Sequence, residues 1–236
     1  MKLYYIRHAQ SQNNALIDLT GSSSGRSSDP ELTHTGRQQA ALLARCLVSG
    51  NPDGSHGEGP GFGLTHLYTS LMTRAVATGW EIANATGLPL EGLADVFEEG
   101  GIYLGDPDTG QPLSQSGPGR DYFQANFPGI VLPADFIDTG WWNDRPFETP
   151  QLAAQRAAGF LRGLVEKHGR SDDRVALISH GNFFNHLMAA VNRRSSPDSH
   201  WYVLNNASIS RFDITNGGIG IVYLNRTAHL PARLLS

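Results

Sequence analysis

The chain has one cysteine, Cys46, in 236 residues. That excludes an internal disulfide framework and any cysteine-rich metal site. Cys46 lies in an Ala/Leu-rich helical stretch, where a free thiol behaves as a small core hydrophobe. Lysine is nearly as scarce: Lys2 and Lys167 are the only two, and arginine carries the remaining positive charge. Apolar runs are short. None approaches the roughly 18 residues of a membrane-spanning helix, and no signal-peptide pattern precedes the first apolar segment, so a cytoplasmic location is expected. An excess of basic charge is also missing. The net charge of -4 and the pI of about 6.1 argue against non-specific nucleic-acid binding. With 39% hydrophobic and 17% charged residues, the composition is that of a soluble globular protein, long enough for one large domain or two small ones.

The first ten residues carry the clearest signal. Lys2-Leu3-Tyr4-Tyr5-Ile6 reads as a strand, aromatic and β-branched with no Gly or Pro. It stops at Arg7-His8, followed by small and amide residues. In an α/β protein, ligands bind at the carboxyl ends of strands. Arg7 offers a permanent charge and a planar donor fork suited to phosphate or carboxylate. His8 offers a ring nitrogen able to act as nucleophile, base or metal ligand.

Further along, Gly21 to Pro30 is a loop by composition. Thr33 or Thr35 caps a helix over about 37–48, with Ala40, Leu43, Ala44 and Leu47 as its apolar stripe. Asn51 to Gly63 is a Gly/Pro-rich surface loop. Leu64 to Thr69 is a second strand ending at Ser70, and a helix follows over about 72–85. Thr149-Pro150 opens the clearest helix, with an N-cap threonine and proline at the first helical position, and Gly169 ends it. Arg174 to Ser179 is a near-continuous apolar strand of the kind found in buried parallel sheets. It stops at His180-Gly181, and a helix follows to Val191. Strands over 207–213 and 220–224 pair through the turn at Asn216-Gly217-Gly218. This alternation predicts an α/β fold with a mostly parallel sheet. Residues 1–236 read as a single domain, with an irregular excursion at about 91–148 that covers a site and is too scattered in apolar content for its own core.

Three strands therefore end in reactive residues: at Arg7-His8, at Ser70 with Arg74 one turn on, and at His180. In a parallel sheet these ends share one edge. Two arginines and two histidines around a point make a pocket for a doubly charged oxyanion, to which the helices after Ser70 and His180 are expected to add their positive N-terminal ends.

At this point the sequence resembles the histidine phosphatase (phosphoglycerate mutase-like) superfamily. The resembling residues are Ile6-Arg7-His8-Ala9-Gln10-Ser11 with Asn14, then Leu32-Thr33-His34-Thr35-Gly36-Arg37-Gln38-Gln39-Ala40, then Tyr68-Thr69-Ser70 with Arg74-Ala75, and finally Ile178-Ser179-His180-Gly181. They occur in family order and span nearly the whole chain. The resemblance implies a three-layer α/β/α sandwich and a phosphohistidine intermediate. It makes His8 the nucleophile, and Arg7, Asn14, Arg74 and His180 the phosphate pocket, with His180 at least partly cationic beside phosphate. The leaving alkoxide needs an acid. Glu98 is preferred to Glu99, because Glu98-Glu99-Gly100-Gly101 resembles a Glu-x-Gly-Gly variant of the family. No metal or cofactor is implied. Ala9 departs from the usual family Gly, a change tolerable if its φ is negative.

Other residues read as structural. His34, His56 and His66 lack metal-ligand spacing. Trp141, Trp142 and Phe147 read as core aromatics rather than pocket lining. Arg120 and Arg145 are candidates for a second anionic group on a substrate, although such arginines more often pair with surface carboxylates. The resulting expectation is a phosphatase acting on a small phosphate monoester, with no nucleic-acid or membrane partner. Two alternatives stay open. A phosphoglycerate mutase would need more cationic groups near the site, and Phe97-Glu98-Glu99-Gly100 replaces the Asn-Glu-Arg segment that mutases resemble one another in. A non-catalytic phospho-ligand binder would not need His8 or an available carboxylate.

Overall fold

A computed structural model describes residues 1–50, 61–106, 108–143, 145–195 and 201–236. Strand β1 (Lys2–Arg7) alternates its side chains between two buried faces. Tyr4 and Ile6 join one apolar cluster, and Leu3 and Tyr5 join another. A strand buried on both faces needs helices above and below it. On the first face lie α2 (His34–Ser49) and α3 (Thr73–Thr86), which supply Ala40, Leu43, Leu47, Ala75, Val76 and Ile82. On the other lie α5 (Pro150–His168) and α6 (Gly181–Val191), which supply Ala157, Phe160, Leu164, Phe183, Phe184 and Leu187. The result is the expected three-layer α/β/α arrangement. Burying each large apolar side chain contributes about 1.5–3 kcal/mol.

The central sheet also contains β2 (His66–Ser70), β3 (Leu90–Leu93), β6 (Arg174–Ser179), β7 (Ile209–Thr215) and β8 (Gly218–Arg226), in the order β3-β2-β6-β1-β7-β8. β3, β2, β6 and β1 are parallel, and β7 and β8 are antiparallel additions at one edge. Registers Arg7↔Ser179 and Thr69↔Ile178 place the ends of β1, β2 and β6 side by side. Helix α1 (Gln12–Thr20) leaves β1 immediately, capped by Ser11 and Asn14 in a reciprocal box. Thr149 caps α5 with Pro150 behind it, and Thr33 caps α2.

The excursion at 91–148 is more ordered than its composition suggested. It contains a hairpin of β4 (Tyr103–Gly105) and β5 (Pro112–Ser114) and a short helix α4 (Arg120–Asn126). Its aromatics are not scattered over the surface. Phe123, Phe127, Phe136, Trp141 and Trp142 join the cluster of α2 and α3. Gly101, at φ +81°, lets the chain pass Trp142 so closely that a Cβ there would sit 1.9 Å from the indole. Arg120 pairs with Asp138, and Arg145 donates to the Ala94 carbonyl and lies over Trp142. Among the described residues no helix is long and apolar enough to cross a membrane.

Candidate active site

His8 is buried at the end of β1. Its Nδ1 lies 2.7 Å from the Ala9 carbonyl oxygen, so Nδ1 carries the proton and donates it. Nε2 is then the lone-pair nitrogen, and it accepts a hydrogen bond of 3.1 Å from Arg74 Nε. Burial, then Arg74, then Arg7 hold the imidazole well below its usual pKa. The ring is neutral at pH 7 and has one defined reactive atom. Ala9 does not have a positive φ. A methyl is therefore tolerated there, and the Ala9 N–H donates to Thr78 Oγ1.

The arginines are placed from two elements. Arg7, from β1, donates through one terminal nitrogen to the Leu204 carbonyl, while its Nε is buried without a partner. Arg74 sits in the first turn of α3. It lies 3.7 Å from the Asp29 carboxylate, which also accepts from the N–H and hydroxyl of Thr73. Burial dominates both guanidiniums and lowers their pKa, opposed by Glu98 at Arg7 and by Asp29 and Glu98 at Arg74. Neither loses its proton near neutral pH. Burial raises Asp29, and Arg74 is the largest opposing influence.

Asn14 both caps α1 and lines the cavity. Its carbonyl oxygen accepts from Ser11 and Asn206, which leaves the amide NH2 as the free donor. His180 differs from expectation in one respect. It is fully buried behind His8, with ring centres 5.2 Å apart, and is not on the cavity wall. Its Nε2 meets Ser70 Oγ at 2.8 Å, and Nδ1 has no partner. Burial first, then Arg74 and His8, push its pKa well below the usual value. It is therefore neutral in this pocket, and a cationic His180 needs an anion beside it.

The helix N-termini also depart from expectation. The Glu98 carboxylate accepts from the N–H groups of Asn182 and Phe183 at the start of α6. Asp29 does the same for Thr73 at the start of α3. Each helix end already has a carboxylate on it. Glu99 instead meets Nε2 of buried His186 at 2.7 Å.

Arg7, His8, Asn14, Arg74, Glu98 and Glu99 all line one open cavity of about 210 Å3. Sequence reading missed Asp29, Tyr5 and Asn206. Tyr5 donates its hydroxyl hydrogen to the His180 carbonyl and accepts from the His180 N–H. Asn206 donates to the His8 carbonyl and to Asn14. Asp29 could have been sought as an acidic partner for Arg74; Asn206 sits in a segment with no local signal. Neither Arg120 nor Arg145 lines the cavity. The histidines set aside for lack of spacing behave differently from one another. His34 is exposed at the start of α2, and His56 lies outside the described residues. His66 lies on β2, where the fold brings its ligand atom within 4.8 Å of those of His168 and Asp173.

Solved structures of similar fold cover nearly the whole chain. A phosphoserine phosphatase mutant from Entamoeba histolytica, in complex with phosphoserine, is 19% identical over 98% of this chain and 99% of its own, with a TM-score of 0.60. The mycobacterial glucosyl-3-phosphoglycerate phosphatase complexed with VO3 is 19% identical over 96% and 99%, with a TM-score of 0.61. Bacillus stearothermophilus YhfR is 20% identical over 97% and 98%, with a TM-score of 0.62. No curated protein sequence matches the chain. The profile of branch 1 of the histidine phosphatase superfamily matches residues 3–107 and 133–227, and the chain belongs to that superfamily.

Proposed function

We propose that this chain hydrolyses small-molecule phosphate monoesters through a phosphohistidine on His8. The observation that carries this reading is the state of His8. Its Nδ1–H is tied to the Ala9 carbonyl, its Nε2 lone pair meets Arg74 Nε, and Arg7 and Asn14 line the same cavity. In the first step Nε2 attacks phosphorus, the N–P bond forms and the ester P–O bond breaks. Glu98 acts as the general acid and passes a proton to the leaving oxygen. The arginines hold the equatorial phosphoryl oxygens, where fixed donors matter most. In the second step water loses a proton to the Glu98 carboxylate and attacks phosphorus. The N–P bond then breaks and inorganic phosphate leaves.

Glu98 is favoured over Glu99 because it belongs to the group of charges around Arg7 and Arg74, whereas Glu99 is held by His186. The named activities of two structural neighbours, on phosphoserine and on glucosyl-3-phosphoglycerate, support a small phosphorylated substrate. The test is phosphate release from a panel of monoesters, with acid-labile phosphoenzyme trapped from labelled substrate. Wild type releases phosphate and is labelled; His8→Ala does neither. Isomerisation of 3-phosphoglycerate without release would replace the phosphatase by a mutase. Binding without any turnover would remove both.

A further inference from the structure

Arg26 is a third cation on the cavity wall, and the phosphate chemistry does not use it. It lies in the loop between α1 and α2, and it lines the cavity with Arg7, His8 and Arg74. Arg7 is held by Leu204, and Arg74 by His8 and Asp29. Among the described residues the Arg26 side chain has neither a hydrogen bond nor an ion pair, and its Nε is buried without a partner. Leaving a charged donor in that condition costs free energy unless a ligand satisfies it.

The side chain is nevertheless held in place. Its guanidinium carbon lies 4.4 Å over the ring of Tyr103, a cation–π geometry. Tyr103 is fixed in turn by Phe147, edge-on at 4.8 Å. The loop is pinned by Asn13, whose amide donates to the Ser27 carbonyl and accepts from the Ser27 N–H. Arg26 is also close enough for its charge to act on Arg74.

We propose that Arg26 forms a second anion subsite, and that the preferred substrate is a small phosphate monoester whose leaving group carries a carboxylate. This rests on the phosphatase reading above. The Tyr103 ring takes up one side of the guanidinium, and the N–H donors that remain suit a planar two-oxygen acceptor, the geometry of a carboxylate. One unpaired positive charge matches one negative charge. More would be opposed by Glu98 and Glu99 on the same wall. The cavity, about 210 Å3, is below the ~300–1,000 Å3 of sites for drug-sized ligands and suits a short molecule that carries both phosphate and carboxylate.

The test compares 3-phosphoglycerate with glycerol 1-phosphate, which replaces the carboxylate by a neutral hydroxymethyl group. The readout is the ratio of their kcat/KM values in wild type, Arg26→Gln and Arg26→Lys. Wild type favours 3-phosphoglycerate at least tenfold. Arg26→Gln brings the ratio near one, and Arg26→Lys falls between. A wild-type ratio near one, or a ratio unchanged in Arg26→Gln, overturns the proposal. Calorimetric Kd values for the same two ligands, in His8→Ala with and without Arg26→Gln, separate the two readings. No turnover by wild type with Arg26-dependent preference in binding removes the phosphatase and keeps the subsite. Turnover without that preference does the reverse.

Discussion

Replacing Asp29 by Asn should destabilise the free protein and tighten its grip on phosphate. Asp29 lies 3.7 Å from Arg74, and both side chains are about nine-tenths buried. At an effective dielectric of ~20, charges at that distance attract by about 4 kcal/mol before desolvation is counted. Removing one partner of a buried pair costs about 3–5 kcal/mol, since the other charge is left unmatched. Asn is isosteric and can still accept from Thr73, so the lower end of that range, about 3 kcal/mol, is expected. For a chain of this size that is a fall in Tm of roughly 6–12 °C. A bound phosphate supplies Arg74 with the negative charge that Asp29 no longer provides. If it recovers about half the loss, phosphate binds D29N about tenfold more tightly than wild type. The assay is thermal unfolding with and without saturating phosphate, with calorimetric Kd values for both proteins. Thr73→Ala is the control, because it removes a hydroxyl contact to Asp29 and leaves the charge pair intact. A Tm change under 2 °C would refute the coupling, and so would equal phosphate affinities in the two proteins.

Glu98→Gln should slow hydrolysis of an alkyl phosphate by about 10²–10⁴ and slow p-nitrophenyl phosphate far less, since nitrophenolate leaves without a proton; kcat for the two esters checks this, and the same pattern in Glu99→Gln alone would move the acid to Glu99. Buried His8, His180 and His229 all have pKa values below their unfolded value, His229 at about 4. The unfolded chain therefore binds protons first as pH falls through about 6.5, and stability drops from there toward pH 4, by about 3 kcal/mol from His229 alone; urea midpoints that stay flat over that range would contradict neutral burial. Gly101→Ala meets both a positive φ and the Trp142 indole. It should cost at least about 2 kcal/mol and disturb the Glu98 segment, read as a lowered Tm with reduced kcat.

Much of this protein was legible in one dimension because its signals are local. The apolar strand at 174–179 and the Thr149-Pro150 helix start depend on neighbours along the chain, and both fall where the pattern places them. Arg7, His8, Arg74 and His180 were recognisable because each follows or ends a strand, and parallel strands bring their ends to one edge. The sequence by itself thus determined the layers, the sheet edge where the candidate site lies and the strand-end residues gathered there. Tertiary structure alone decided how those residues are divided. Whether Glu98 or Glu99 faces the arginines depends on His186 and on the start of α6, more than 80 residues away. That both helix N-termini already hold a carboxylate is a matter of distance in space. So is the burial that keeps His180 neutral behind His8, and the pairing that takes Arg120 out of the pocket and leaves Arg26 in it. Desolvation and charge pairing act through space at a few ångströms, and no spacing along the chain encodes them. At its opening Arg-His pair, the sequence offers a ring with two nitrogens, and the packing around His8 decides which of them carries the proton and which the lone pair.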